Sequence, residues 1–196
     1  MGEDEKRTIR LVEEHRAIVR AILPGYGGRE HQTIGDAFVV LFDSALNAVS
    51  CAVEIQKQLR ERNAGKAQEE QVWIRVGIHL DDIVFKDGQI YGDGVNLAAR
   101  LEPQAEPGGI CVTEPVLAHV KGKVTFGFVS LGERALKNIA RPPALYAVHV
   151  ECTPDARWVK KKPFAASAAR AALAAVGAVV VAAAVVVVVV VSQRER

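Results

Sequence analysis

Cross-linking chemistry is scarce in this chain. It has three cysteines, Cys51, Cys111 and Cys152, whose spacing suits neither a zinc site nor a disulfide framework. The opening residues, Met1-Gly2-Glu3-Asp4-Glu5-Lys6-Arg7, are charged where a secretory leader is apolar. A reduced, cytoplasmic setting without disulfides is therefore expected. There is no internal repeat, which excludes a repeat architecture. Excess charge is also scarce, at a formal net +2, but that value hides a division. From position 157 onward Arg157, Lys160, Lys161, Lys162, Arg170, Arg194 and Arg196 face Glu195 alone. Of 25 basic and 23 acidic residues, 18 and 22 remain for the rest of the chain. A mildly acidic folded part argues against nucleic acid as a partner, which calls for a basic footprint on the domain itself.

Apolar residues, by contrast, run unbroken from Ala171 to Val191. As a helix this run is about 31 Å long, the thickness of a bilayer's hydrocarbon core. A transmembrane helix is expected over 171–191, after a basic linker over 153–170 and before a short tail over 192–196. The basic flank keeps the folded domain, 1–152, on the cytoplasmic side of an inner or plasma membrane. The valine-rich end leaves a second reading open, a β-prone low-complexity segment.

Within the folded part helices and strands alternate. Ile9, Leu11, Val12, His15, Ile18, Val19 and Ile22 fall at helical spacing over residues 4 to 22, with His15 a packed histidine and Pro24-Gly25 the stop. Glu30 to Ile34 and Ala37 to Phe42 read as strands joined by a tight turn at Gly35-Asp36. Asp43 or Ser44 caps a helix with the stripe Ala45, Ala48, Val49, Ala52, Ile55 and Leu59. Val72 to Phe85 is strand material, turning near Asp81-Asp82. Further strands are expected near 110–113, 124–129 and 145–150, with a short helix near 115–120. The class is α/β (α+β), a sandwich of helices on a sheet.

The densest stretch is Gly92-Asp93-Gly94-Val95-Asn96-Leu97-Ala98-Ala99-Arg100-Leu101-Glu102. A glycine turn enters a helix whose Asn96 and Arg100, four apart, share one face. Arginine offers planar, permanently charged donors suited to phosphate. This segment resembles the signature helix of the class III adenylate and guanylate cyclase catalytic domain. Ile34-Gly35-Asp36-Ala37-Phe38 resembles that family's metal-binding hairpin, and Ile74-Arg75-Val76-Gly77-Ile78-His79 its central strand. Glu106 to Thr113 and Leu136 to Pro142 resemble its later strand and closing segment.

The resemblance implies a ferredoxin-like cyclase sandwich acting as a homodimer, with ATP, or GTP, as substrate. Its products would be the 3′,5′-cyclic nucleotide and pyrophosphate, formed by attack of the ribose 3′-hydroxyl on the α-phosphorus. Two ions, Mg²⁺ or Mn²⁺, are implied, with Asp36 as a metal ligand. Arg100 would stabilise charge on the α-phosphate and Asn96 would position the ribose. One protomer would give the carboxylate and the other the Asn and Arg. Arg141 is a weaker candidate for the terminal phosphates.

Three departures stand out. The family opens with a strand and an aspartate-bearing loop ahead of the first helix, and this sequence matches the family pattern only from that helix onward. A sheet lacking that strand loses a central member and is left with raw edges. At the base-recognition positions it has Gln32 and Gln89, amides that donate and accept and so set no fixed polarity between adenine and guanine. Asp81 stands where the family has glycine. These departures leave open a cyclase-like module that dimerises or binds nucleotide without turnover, or a gene fragment.

Overall fold

The computed structural model describes residues 3–86, 89–91, 93–139, 141–149 and 186–191. Helix α1 (Glu3–Ile22) buries Leu11, His15, Val19 and Ile22 along one stripe. Ile9 is 42% exposed; two residues before Leu11, it falls on the far side of the helix. A 3₁₀ turn with Pro24 near its start closes α1. Strands β1 (Arg29–Ile34) and β2 (Ala37–Phe42) form the expected antiparallel hairpin. Gly35 turns it at φ 61°, a left-handed conformation open to glycine. Helix α2 (Ala45–Asn63) is capped by Ser44, whose hydroxyl accepts from the Asn47 amide at 3.4 Å, and it buries the expected stripe.

Strand β3 (Arg75–Leu80) is shorter than the Val72–Phe85 stretch expected. Val72 is buried, but its amide and carbonyl are taken by the Asn63 side chain, not by a neighbouring strand. Past Asp81-Asp82 the chain enters a separate hairpin of β4 (Val84–Lys86) and β5 (Gln89–Tyr91). Next come α3 (Asp93–Leu101), β6 (Ile110–Thr113), α4 (Glu114–Val120), β7 (Gly127–Glu133) and β8 (Ala144–His149).

The last strand, β9 (Val186–Val191), corrects two expectations. The main sheet has seven strands in the order β1-β2-β9-β3-β6-β8-β7. β9 runs parallel to both neighbours, Phe38–Phe42 pairing with Val187–Val191 and Arg75–Leu80 with Val186–Val191. Residues 186–191 are thus not part of a transmembrane helix here, and the sheet has no raw edge between β2 and β3. Valine is branched at Cβ and favours extended backbone, and the slot supplies hydrogen-bonding partners on both sides. No helix among the described residues is long and apolar enough to cross a membrane. Residues 171–185, the remainder of that expected helix, lie outside the described residues.

The sheet separates two layers. Phe38, Val40 and Phe42 of β2, Val76 and Ile78 of β3 and Ile110 and Val112 of β6 join the stripes of α1, α2 and α4 in one large core. On the opposite face Val39 and Leu41 meet Ala98 of α3, while Leu101 packs with Cys111 and Leu145. Among the described residues, α3 is the α-helix that packs on this face, across β2, β9 and β3.

Candidate active site

Where α3 lies is decided by glycines. A side chain at Gly77 would come within 2.5 Å of the Ala98 carbonyl and 2.8 Å of the Glu102 amide, so β3 admits α3 only because position 77 has none. At the other end of the helix, a Cβ on Gly94 would stand 2.7 Å from that of Asp81. Asp81, accepting at 2.9 Å from the Asp82 amide, thus packs directly on the first turn of α3. The alternation that turns Gly77 towards α3 also turns Arg75 and His79 that way. His79 Nδ1 is 2.9 Å from Thr113 Oγ1, and burial lowers its pKa against the opposing pull of Asp81.

Asn96 is exposed on α3, and its carbonyl accepts from Arg100 Nε at 3.2 Å. That bond fixes the stem of Arg100 along the helix. Its Nη1 is buried and has no hydrogen-bond partner. Two residues on, Glu102 is 5% exposed and paired with Arg75 at 3.5 Å. Burial raises the Glu102 pKa against the charge of Arg75, and the nearby negative charge of Asp36 pushes the same way.

Asp36 itself is half-buried at the β1–β2 turn. Arg16 of α1 donates to the Gly35 carbonyl, and His15, buried beneath, lies 3.1 Å from the Leu11 carbonyl. Burial lowers the His15 pKa, while the backbone and carboxylate of Asp36 act in the opposite direction. Among the described residues, five buried side-chain atoms lack a hydrogen-bond partner: His15 Nε2, Arg16 Nε, Arg75 Nε, Arg100 Nη1 and Glu102 Oε1. Four of the five belong to residues tied to the Asp36 turn or to the Arg75–Glu102 pair, and the fifth to Arg100. Unmet polar groups in a folded protein are costly unless something else meets them.

No hydrogen bond or ion pair among the described residues joins Asp36 to Asn96 or Arg100. Gln32 is exposed on β1. Gln89 lies on β5, but its side chain is outside the described residues. Arg141 is exposed just ahead of β8 and is not part of this constellation. The Arg75–Glu102 pair and the packing of Asp81 on Gly94 were missed in the sequence, although Arg75 and Glu102 both stand inside recognised segments.

The profile of the family described as "Adenylate and Guanylate cyclase catalytic domain" matches residues 2–149. The chain belongs to the class III adenylate and guanylate cyclase catalytic domain family. This cyclase domain is 36% identical over 143 residues to a Rhizobium meliloti protein provisionally named adenylate cyclase 3, covering 72% of this chain and 24% of that one. It is 33% identical over 140 residues to receptor-type adenylate cyclase A of Leishmania donovani, covering 51% and 10%. The chain thus spans a quarter or less of these curated relatives. Among solved structures it resembles an adenylate/guanylate cyclase/hydrolase from Silicibacter pomeroyi, with TM-score 0.65 and 33% identity over 76% of this chain and 90% of that one. The span matched by the family profile, 2–149, takes in the hairpin that carries Asp36 and the helix that carries Asn96 and Arg100.

Proposed function

We propose that this chain is the catalytic part of a membrane-anchored adenylate cyclase that works as a homodimer. It converts ATP to 3′,5′-cyclic AMP and pyrophosphate, with GTP admissible because Gln32 and Gln89 present amides of no fixed polarity. In the reaction the ribose 3′-oxygen bonds to the α-phosphorus. The bond from that phosphorus to the bridging oxygen breaks, pyrophosphate leaves, and the hydroxyl proton passes to solvent.

The observation that carries this reading is the buried, unpartnered Nη1 of Arg100 on a helix face shared with exposed Asn96. Its donor would meet the charge that grows on the α-phosphate, and Asn96 would hold the ribose. Asp36 suits one hard cation, Mg²⁺ or Mn²⁺, which would share its remaining positions with phosphate oxygens. Such an ion, when bound, would favour ionisation of the attacking hydroxyl and offset charge on the triphosphate. The described residues contain no group of three or more possible ligands, so a two-ion set is not assembled by one protomer's described residues. With Asp36 and Arg100 unconnected within a protomer, a two-fold dimer pairing the turn of one with α3 of the other is the economical way to unite them. The length of the apolar run 171–191 in the sequence and its basic flank are what support the anchor, although 186–191 form β9 in this structure.

The lone carboxylate favours a second reading, a module that binds nucleotide without turnover. Incubating the full chain with ATP or GTP and Mg²⁺ or Mn²⁺ separates the two. Formation of cyclic AMP that is lost in Asp36→Asn supports the cyclase. ATP bound without product, equally well by wild type and Asp36→Asn, supports the module.

A further inference from the structure

We propose that residues 186–191 have two mutually exclusive places, the slot between β2 and β3 and the interior of a lipid bilayer, so that the chain cannot complete its sheet and span a membrane with the same copy of this segment. The inference rests on the membrane reading above and adds to it a conformational condition.

The first leg is length. The whole run 171–191 makes a helix of about 31 Å, enough to cross a hydrocarbon core of about 30 Å. With β9 in the sheet, 171–185 remain. As a helix they reach about 22 Å, short of a span. The six residues that form β9 are thus also the ones that bring the run to membrane length.

The second leg is the manner of insertion. Helix α1 leads into β1, and β2 turns back from β1. In a split βαβ unit, a strand leading into α1 and lying between β2 and β3 would run parallel to β1 and so antiparallel to β2. β9 fills that position running parallel to β2 and β3. It comes from the far end of the chain, beyond β8, and enters against the polarity of that unit. Parallel pairing is also slightly weaker per residue than antiparallel. The slot is thus held by pairing available to any extended apolar segment, a hold that a bilayer can compete with.

The third leg is the consequence for α3. This helix packs on β9 as well as on β3, and it carries Asn96 and Arg100. Withdrawal of β9 would open the backbone of Phe38–Phe42 and of Arg75–Leu80 and remove part of the floor under α3. The Asn96 and Arg100 face is therefore coupled to whether the valine segment lies in the sheet.

A reversible lock tests this. Val39 and Val188 are register partners, so the full chain with V39C and V188C, and with Cys152 replaced by serine, can be closed by oxidation and opened by reductant. Cys51 and Cys111 can stay, because both are buried and burial pushes their thiols up to about 12. The readout is co-sedimentation with mixed phosphatidylcholine and phosphatidylglycerol vesicles. The expected result is an intramolecular cross-link in the lipid-free protein, loss of vesicle binding in the oxidised form, and recovery of binding on reduction. Equal binding by the oxidised and reduced forms would overturn exclusivity while leaving the anchor intact. No binding by either would remove the anchor reading itself. Failure of the cross-link to form without lipid would remove β9 from the slot.

Discussion

Two regions of the molecule treat buried polar groups in opposite ways. Around α2 they are closed. Gln56, fully buried, donates from Nε2 to the carbonyls of Ile74 and Gly109, each at 3.1 Å. Asn63 takes both the amide and the carbonyl of Val72, and Arg62 binds the Glu14 carboxylate and the Glu70 carbonyl, tying α1 to α2. On α3, at the Arg75–Glu102 pair and around the Asp36 turn, buried side-chain atoms of the described residues lack a hydrogen-bond partner, Glu102 Oε1 having only its ion pair with Arg75. The first pattern belongs to a scaffold, in which each polar group has been given a partner within the chain. The second is the pattern expected of a site, where a ligand or a second protomer would bring the partner.

Substitutions in the two regions should therefore fail differently. The largest effect is expected at Arg100. Arg100→Ala should lower kcat by two to three decades, on the order of 3 kcal/mol of barrier, with an unchanged melting temperature by calorimetry. A large drop in melting temperature would move Arg100 to the scaffold. Next comes Gln56→Leu, which keeps the bulk but removes one of two donors from each of the Ile74 and Gly109 carbonyls, which keep the Gly108 and Val76 amides. It should destabilise folding by about 1 kcal/mol in urea titration, while activity per folded molecule stays near wild type. A kinetic defect without a stability defect would break the contrast from the other side.

The smallest effect is at the Arg20–Glu30 pair, which joins α1 to β1 through two bonds of 2.8 Å. The guanidinium holds the Glu30 carboxyl at about 2, below its ordinary 4.5. A lowered carboxylate contributes stability that is present in full above the unfolded value and is lost as pH falls from about 4.5 towards 2. The pair is half-exposed, so its worth is under about 1 kcal/mol. Glu30→Gln should lower neutral stability by that amount, under about 1 kcal/mol, and flatten the acid limb of the stability–pH curve, so that the two proteins converge near pH 2.

How much of this was legible in the sequence depends on the range of the forces involved. The hairpin at Gly35-Asp36, the stripe of α2 and the shared face of Asn96 and Arg100 are local patterns, and each was readable from spacing. Strand β3 was misjudged at its start because Asn63, a helix residue well upstream, takes the hydrogen bonds of Val72. The valine strand could not be placed: a run without periodicity fits a membrane helix and a buried strand alike. Its partners, β2 and β3, are far away in the chain. The Arg75–Glu102 pair was hidden for a similar reason, since only the close approach allowed by Gly77 brings α3 onto β3.

The central claim is that Asp36 of one protomer and Arg100 of another make one catalytic site, and mixing two inactive proteins tests it most directly. Asp36→Asn and Arg100→Ala should each be inactive alone. Random reassociation makes about half the dimers mixed, each with one of two sites intact, so cyclic AMP formation should recover to about a quarter of wild type. Mixed dimers demonstrated by differential tagging, yet still inactive, would contradict the account.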